Sequence, residues 1–371
     1  AVEDTASTPK GGRAWRQFTA GDELGALSVL DRLRAARDAA RQARANIESA
    51  AEGRRIAKLA LETRARGKLD TSAVIARYEE VTRLDPGEHW DWVELGRLYA
   101  DRGRLGDAKQ AAQQAAVTAA GDRDRSVALD ALANVLVAQG DLAAARRLYQ
   151  ESLDIDKRLA AADPSSAERQ RDVSVSLLKL GNILVAEGDL AAARRSYQDS
   201  LEIDKRLAAA DPSSTVHQRD VSVSLVKLGD VLVAQGDLAA ARRLYQESLE
   251  IAKRLAAADP SSAERQRDVS VSLNKLGDVL VAQGDLAAAQ RLYQESIEIR
   301  KRLAAADPSS AERWRDVLVS MSRLTRFPDS GITWQHVVSV MEDMHHRGVL
   351  APTDVGALEE ARRQATVGAT P

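Results

Sequence analysis

The sequence predicts an all-α protein, a string of helical hairpins, on three observations. Ala, Leu and Arg crowd the 371 residues while the aromatics are only 5 Trp, 6 Tyr and 2 Phe, a composition that suits long helices better than a sandwich, barrel or parallel sheet. Asp172, Asp220, Asp268 and Asp316 each follow an Arg and lie 48 residues apart, and the text between them barely changes. Within a unit, Val173, Leu177, Leu180 and Leu184 step by four, three and four, which is one stripe of an α-helix.

The elements follow in order. Residues 1–21 are polar and contain Pro9, Gly11 and Gly12, so they read as a flexible arm. Residues 22–52 read as a helical extension, with Leu24, Leu27, Leu30 and Leu33 at helical spacing before the text turns Ala- and Arg-rich. Its Arg run (Arg32, Arg34, Arg37, Arg41, Arg44) is interleaved with Asp31 and Asp38 and lacks stacking aromatics, which favours a solvated helix over an acidic partner or RNA.

The repeat array is expected over 53–326. A degenerate repeat covers 53–86, a standard-length one 87–123, and long ones 124–171, 172–219, 220–267 and 268–315. Residues 316–326 copy only the first half of a unit and read as a capping helix. Pro328 and Gly331 then break the pattern, and 327–371 reads as a C-terminal element of two short helices, the second capped by Thr353 or Asp354.

Each long unit reads as two antiparallel helices. Gly188 supplies a left-handed exit from the first and Asp189 caps the second. Leu190, Ala193, Tyr197, Leu201 and Leu207 then face inward, with exposed pairs Arg195–Asp199 and Glu202–Arg206. Asp211 and Pro212 stop that helix and start the next, and Ser165 and Glu168 have capping-box spacing.

The spacing Leu177-x2-Leu180-Gly181-x2-Leu184, then Ala193-x3-Tyr197, resembles the tetratricopeptide repeat signature, and Trp92-x2-Leu95-Gly96-x2-Tyr99 matches its first-helix form. The match recurs in phase at Gly181, Gly229 and Gly277, at Ala145, Ala193, Ala241 and Ala289, and at Tyr149, Tyr197, Tyr245 and Tyr293. The unit exceeds the usual repeat of about 34 residues by roughly four helical turns, two on each helix. Similar long-repeat arrays occur in kinesin light chains and in bacterial multidomain proteins, where they are often joined to an effector domain.

The resemblance implies a right-handed superhelix of about six helix-turn-helix repeats, an α-solenoid whose first helices line a concave groove for a peptide or protein partner. By motif position the groove residues are Val175, Leu178, Asn182 and Val185, then Val223, Val226, Asp230 and Val233, then Val271, Asn274, Asp278 and Val281. Asp130 and Asn134 are their counterparts in the preceding unit, and Lys179, Lys227 and Lys275 stand at the border. The stripe changes where neighbouring repeats are otherwise nearly copies, which suits ligand reading and suits drift on an exposed face equally. Some relatives hold a C-terminal carboxylate with Lys and Asn, but Asp130, Asp230 and Asp278 oppose one here.

Composition bounds the chemistry. With 53 basic and 55 acidic residues the net charge is −2, so no net field draws the chain to nucleic acid or anionic lipid. The absence of Cys excludes a disulfide framework, a thiolate nucleophile and Cys-ligated zinc, and fits a reducing cytosol, the expected location. Apolar runs such as 183–186 end in charge, far short of the ~20 residues of a membrane span. The start, Ala1 with no apolar signal core, suggests excision from something longer.

No phosphate loop is present. Glu342 and His346 share a helix face at a spacing that can bind metal, although a His-rich helix end is the commoner arrangement. Ser174 and Ser176 recur without a base at an activating spacing, and the acids of the repeats read as neutralised by Arg or Lys neighbours. No catalytic constellation, metal or cofactor is therefore expected. The sequence points to a non-enzymatic protein-binding scaffold or adaptor; the alternatives are a self-association module, and the regulatory portion of an enzyme whose catalytic domain lies upstream.

Overall fold

The computed structural model describes residues 9–65, 69–308, 310–347, 349–350 and 354–367. These residues are helical throughout apart from turns, and they fall into two compact units, Ala1–Thr118 and Ala119–Pro371.

The first unit holds α1 (Pro9–Thr19), α2 (Glu23–Ala65), α3 (Thr71–Leu84), α4 (His89–Asp101) and α5 (Leu105–Thr118). The expected flexible arm is a helix from Pro9 onward, and residues 1–8 lie outside the described residues. Pro9 sits at the first helical position, where its missing N–H leaves no bond unmade. Ala14 is fully buried, and the chain reverses through Gly21 at φ +84° into α2, whose start is capped by Asp22 Oδ1 accepting from Gly25 N at 2.9 Å.

α2 is a single helix of 43 residues that crosses the expected boundary at 52, because no Pro or cap interrupts it. Its last third packs on α3. There Gly53 lets the two helices approach: a Cβ on it would meet Val81 Cγ2 at 2.9 Å. Arg54 then ties the segments together, donating to Asp85 and Asp91 at 2.6 Å each. In the α4–α5 hairpin, Leu95 and Tyr99 are buried and Gly96 backs onto the α5 backbone, 3.3 Å from the carbonyl oxygen of Ala108 to an added Cβ.

The second unit repeats one hairpin. It runs α6 (Asp122–Ala138), α7 (Leu142–Ala162), α8 (Ala167–Ala186), α9 (Leu190–Ala210), α10 (Thr215–Ala234), α11 (Leu238–Ala258), α12 (Ala263–Ala282), α13 (Leu286–Ala306) and α14 (Ala311–Leu324). Each helix packs on its neighbours in sequence, the arrangement of an α-solenoid. The first helices α8 and α10, and α10 and α12, also touch.

Local chemistry sets the ends. Gly140, Gly188, Gly236 and Gly284 turn the chain at φ +82° to +83°, and Asp189 Oδ1 accepts from Ala192 N at 3.0 Å. The first helices start at Ala167, Thr215, Ala263 and Ala311, capped by Ser166, Ser214, Ser262 and Ser310. The cap is thus Ser166 rather than Ser165, and Asp211 closes α9 instead of opening α10, because its backbone N–H is still bonded to Leu207 O. Leu190 is half-buried, while Ala193, Tyr197, Leu201 and Leu207 are buried as expected. Arg195, Asp199, Glu202 and Arg206 are exposed, and Lys205 of α9 pairs across repeats with Glu247 of α11 at 3.0 Å.

α14 is not a terminal cap. It begins at Ala311 and packs on α15 (Trp334–His346), and its Val317, Met321 and Leu324 share one buried apolar cluster with Phe327, with Val337, Val338 and Met341 of α15, and with Leu358 and Ala361 of α16 (Val355–Val367). A ladder of ion pairs continues into this element: Arg171–Asp220, Arg219–Asp268 and Arg267–Asp316, each at 2.5 Å, are followed by Arg315–Asp354 at 2.6 Å. Asp354 therefore takes the place of the acid that a further repeat would supply.

Candidate partner-binding face

The predicted stripe lies along α6, α8, α10 and α12. Val175, Leu178, Val223, Val226, Val271 and Val281 are half-buried, and Leu178, Val226 and Val281 also pack against the core. Val185 and Val233, two turns beyond Leu178 and Val226, are 40% and 38% exposed.

The polar members have internal partners that sequence spacing did not reveal. One position accepts a tyrosine hydroxyl in every long repeat: Tyr149 donates to Asn134 at 2.5 Å, Tyr197 to Asn182 at 2.8 Å, Tyr245 to Asp230 at 2.6 Å and Tyr293 to Asp278 at 2.7 Å. The buried ring belongs to the second helix, so Asn or Asp here fixes the hairpin as well as facing outward. Burial of the rings raises the tyrosine pKa values above the ordinary range.

The acids expected to oppose a carboxylate are each paired with the next repeat. Lys179 donates to Asp130, Lys275 Nζ lies 2.8 Å from Asp230 Oδ1, and Arg323 forks onto both oxygens of Asp278 at 2.7 Å. Asp130 is buried, and desolvation raises its pKa against the pull of Lys179. Lys227 is half-buried with no ion pair among the described residues; the residues that correspond to its neighbours' acids are Leu178 and Asn182.

Asn274 departs from the expected groove. It is buried at 3% exposure, and in the orientation that satisfies both ends of its amide it donates to Ser296 at 3.0 Å and accepts from Ser320 at 3.1 Å and from the guanidinium of Arg300. The change along Asp130, Leu178, Val226 and Asn274 therefore reports, at both ends, a contact between repeats. Leu178 and Val226 remain as surface.

A second network lies behind the stripe. Ser174 and Ser224 donate to Asp204 at 2.5 and 2.6 Å, while Ser126 and Ser176 each donate to Asp156 at 2.6 Å. These two acids are buried between serine hydroxyls from the helices on either side, rather than neutralised by Arg or Lys as expected. Desolvation raises the pKa of Asp204. The equivalent positions further on are Ala252 and Arg300. Burial brings Arg300 down to about 10, and its guanidinium donates to Ser270 Oγ at 3.0 Å and to the Asp316 carbonyl at 2.6 Å. The recurring serines are thus packing and hydrogen-bonding residues between repeats.

At the C-terminal element, Glu342 accepts from Arg362 at 2.8 Å and His346 Nδ1 lies 2.8 Å from the Glu342 carbonyl oxygen. The Glu342 carboxylate is therefore engaged by a cation. No group of three or more potential ligands is placed to hold a metal ion among the described residues, and no helix among them is long and apolar enough to cross a membrane.

Residues 126–163, 175–206 and 220–302 match three family models, each described as tetratricopeptide repeat. No curated protein matches. Among solved structures the chain is similar to BtubC (BKLC) from P. vanneervenii, at 18% identity over 71% of this chain and 91% of that one, with a TM-score of 0.48. It is similar to the apo form of RapI at 14% identity over 75% and 96% of the two chains, TM-score 0.47. A Podosopora anserina protein of nearly identical TPR-like repeats aligns at 19% identity over 58% and 97%, TM-score 0.45. The in-phase glycines and tyrosines, the hairpins they join and the three matches agree: the array over residues 126–302 is built of tetratricopeptide repeats.

Proposed function

We propose that the chain is a scaffold of the sensor or adaptor kind, within a larger bacterial signalling or effector assembly, and that it takes a peptide or protein partner on the first-helix stripe. Tetratricopeptide repeats support protein–protein interaction in general. One observation carries the finer reading. Elsewhere along the stripe the outward acids are paired with cations of the next repeat, but between α8 and α10 Leu178, Val226, Val185 and Val233 form an apolar surface beside the unpaired Lys227. Binding energy would come from covering that surface, with charge at its edge setting register.

The test compares partner recovery by the intact chain and by a Leu178→Arg/Val226→Arg variant, after circular dichroism shows that both are folded. Loss of a defined set of partners in the variant supports the stripe. Equal recovery places binding on another face. Sedimentation at several concentrations is run alongside, since a mass that grows without any partner means self-association.

A further inference from the structure

The second helices α7, α9, α11 and α13 each carry an exposed Arg in their second turn: Arg147, Arg195, Arg243 and Arg291. None of the four has an ion pair among the described residues. The acid four residues further on is engaged elsewhere in three of the helices. Glu151 pairs with Arg125 at 2.7 Å, Glu247 with Lys205 at 3.0 Å and Glu295 with Lys253 at 2.8 Å. The preceding Arg of α7, Arg146, meets Glu187 at the end of the next first helix at 2.9 Å. Its counterparts Arg194 and Arg242 find only the amide oxygens of Gln235 and Gln283, at 3.4 and 3.3 Å.

One position of a repeated hairpin thus leaves a file of guanidinium groups along the array that no acid neutralises. A second basic row, Lys157 with Arg158 and their counterparts, is tied down at Arg158–Asp122, Lys205–Glu247 and Lys253–Glu295. The file is narrow. The cap residues Asp141, Asp189, Asp237 and Asp285 lie six positions before its members, and Glu151, Asp199, Glu247 and Glu295 four positions after. A nucleic-acid duplex or a bilayer would press its own anionic groups against both rows of acids, which is costly. A single extended chain lies between them. Second helices stand about 10 Å or more apart, so the four positions span about ten residues of extended backbone at about 3.3 Å each.

We propose that this file of Arg on α7, α9, α11 and α13 is a docking track for an extended acidic segment of another polypeptide, its carboxylates forked by successive guanidinium groups. The track is on the second helices, separate from the first-helix stripe, and Leu178→Arg/Val226→Arg leaves it intact.

The experiment titrates labelled dodecapeptides of Glu and of Lys with the full chain, read by fluorescence anisotropy. The Glu peptide is expected to bind at least tenfold more tightly than the Lys peptide, and less tightly as salt rises. Arg147→Glu/Arg195→Glu/Arg243→Glu/Arg291→Glu is expected to weaken it at least tenfold. The same reversal on the second row, Arg158→Glu/Arg206→Glu/Arg254→Glu/Arg302→Glu, changes net charge equally and is expected to weaken it threefold or less. Gln235→Glu/Gln283→Glu supplies the missing acids without touching the four Arg of the file, and is expected to weaken the Glu peptide at least threefold in a folded chain. A Glu preference below tenfold, equal losses in the two reversals, or no loss in the Gln variant overturns the proposal. So does displacement of the Glu peptide by poly(U) RNA or by phosphatidylserine vesicles at lower anion concentration than by unlabelled Glu peptide.

Discussion

Gly229 faces the ring of Tyr245 so closely that a Cβ built on it would meet Cε1 at 2.5 Å. The ring is 1% exposed and its hydroxyl is fastened to Asp230, so it has little room to give. One repeat shows how much it can yield: Ala133 occupies the equivalent position, fully buried beside Tyr149. A methyl is therefore accommodated by a small ring shift, and a branched side chain is not. Gly229→Ala is expected to stay within about 1 kcal/mol of the parent, helped by the better helix propensity of Ala. Gly229→Leu is expected to lose on the order of 1–3 kcal/mol through overpacking. Urea denaturation of the three chains checks this, and a Leu variant as stable as the parent removes the close approach as a constraint.

What could be read from the text was whatever depends on neighbours in sequence. The Gly188–Asp189 turn and the inward Tyr197 follow from spacing alone. Asp211 is as good a cap type as Ser214, the actual cap of α10, and only the bond from the Asp211 N–H to Leu207 O shows that it ends a helix instead. Pro9 read as a breaker, yet it opens α1. The site was less legible than the fold. Asp204 reads as one more surface acid, since the serines that bury it come from α8 and α10, 30 and 20 residues away. Asn274 reads as groove-facing by motif position, but its partners Arg300 and Ser320 replace what earlier repeats carry there.

The buried Asp204 makes stability depend on pH in a fixed direction. Its folded pKa is raised, chiefly by desolvation, so the native state holds the proton more tightly than the unfolded chain. Its contribution is most favourable below the ordinary carboxylate range and is lost as pH rises through the raised folded value. Asp204→Asn keeps a group that bonds both Ser174 and Ser224 and removes the charge. The variant is expected to melt higher than the parent at pH 7, with the advantage shrinking as pH falls toward 4. Thermal melts of both chains across that range measure it. A lower melting temperature at pH 7 would show that the two serine hydrogen bonds outweigh the desolvation.

The C-terminal element covers α14 as another repeat would. Removing residues 327–371 uncovers Val317, Met321 and Leu324, each no more than 4% exposed in the intact chain. Each such side chain is worth about 1.5–3 kcal/mol when buried. The truncated chain is expected to unfold at lower urea and to bind a hydrophobic dye. Asp354→Ala is expected to cost only about 0.5 kcal/mol, because Arg315 and Asp354 form a partly exposed pair. A truncation with unchanged urea midpoint would make the element dispensable to the array.

Lys227 and Lys275 occupy the same position in successive repeats but are expected to do different work. Lys275 neutralises Asp230, which also holds the Tyr245 hydroxyl, so Lys275→Ala leaves that acid uncompensated and is expected to cost up to about 1 kcal/mol for a half-exposed pair. Lys227 has Leu178 and Asn182 where its neighbours have an acid, so Lys227→Ala is expected to leave stability within about 0.5 kcal/mol. If the stripe between α8 and α10 takes a partner, Lys227 is the cation free to meet it, and Lys227→Glu should reduce partner recovery while urea curves stay superimposed. The reverse pattern, with Lys275→Ala impairing binding and Lys227→Glu harmless, would move the contact one repeat along.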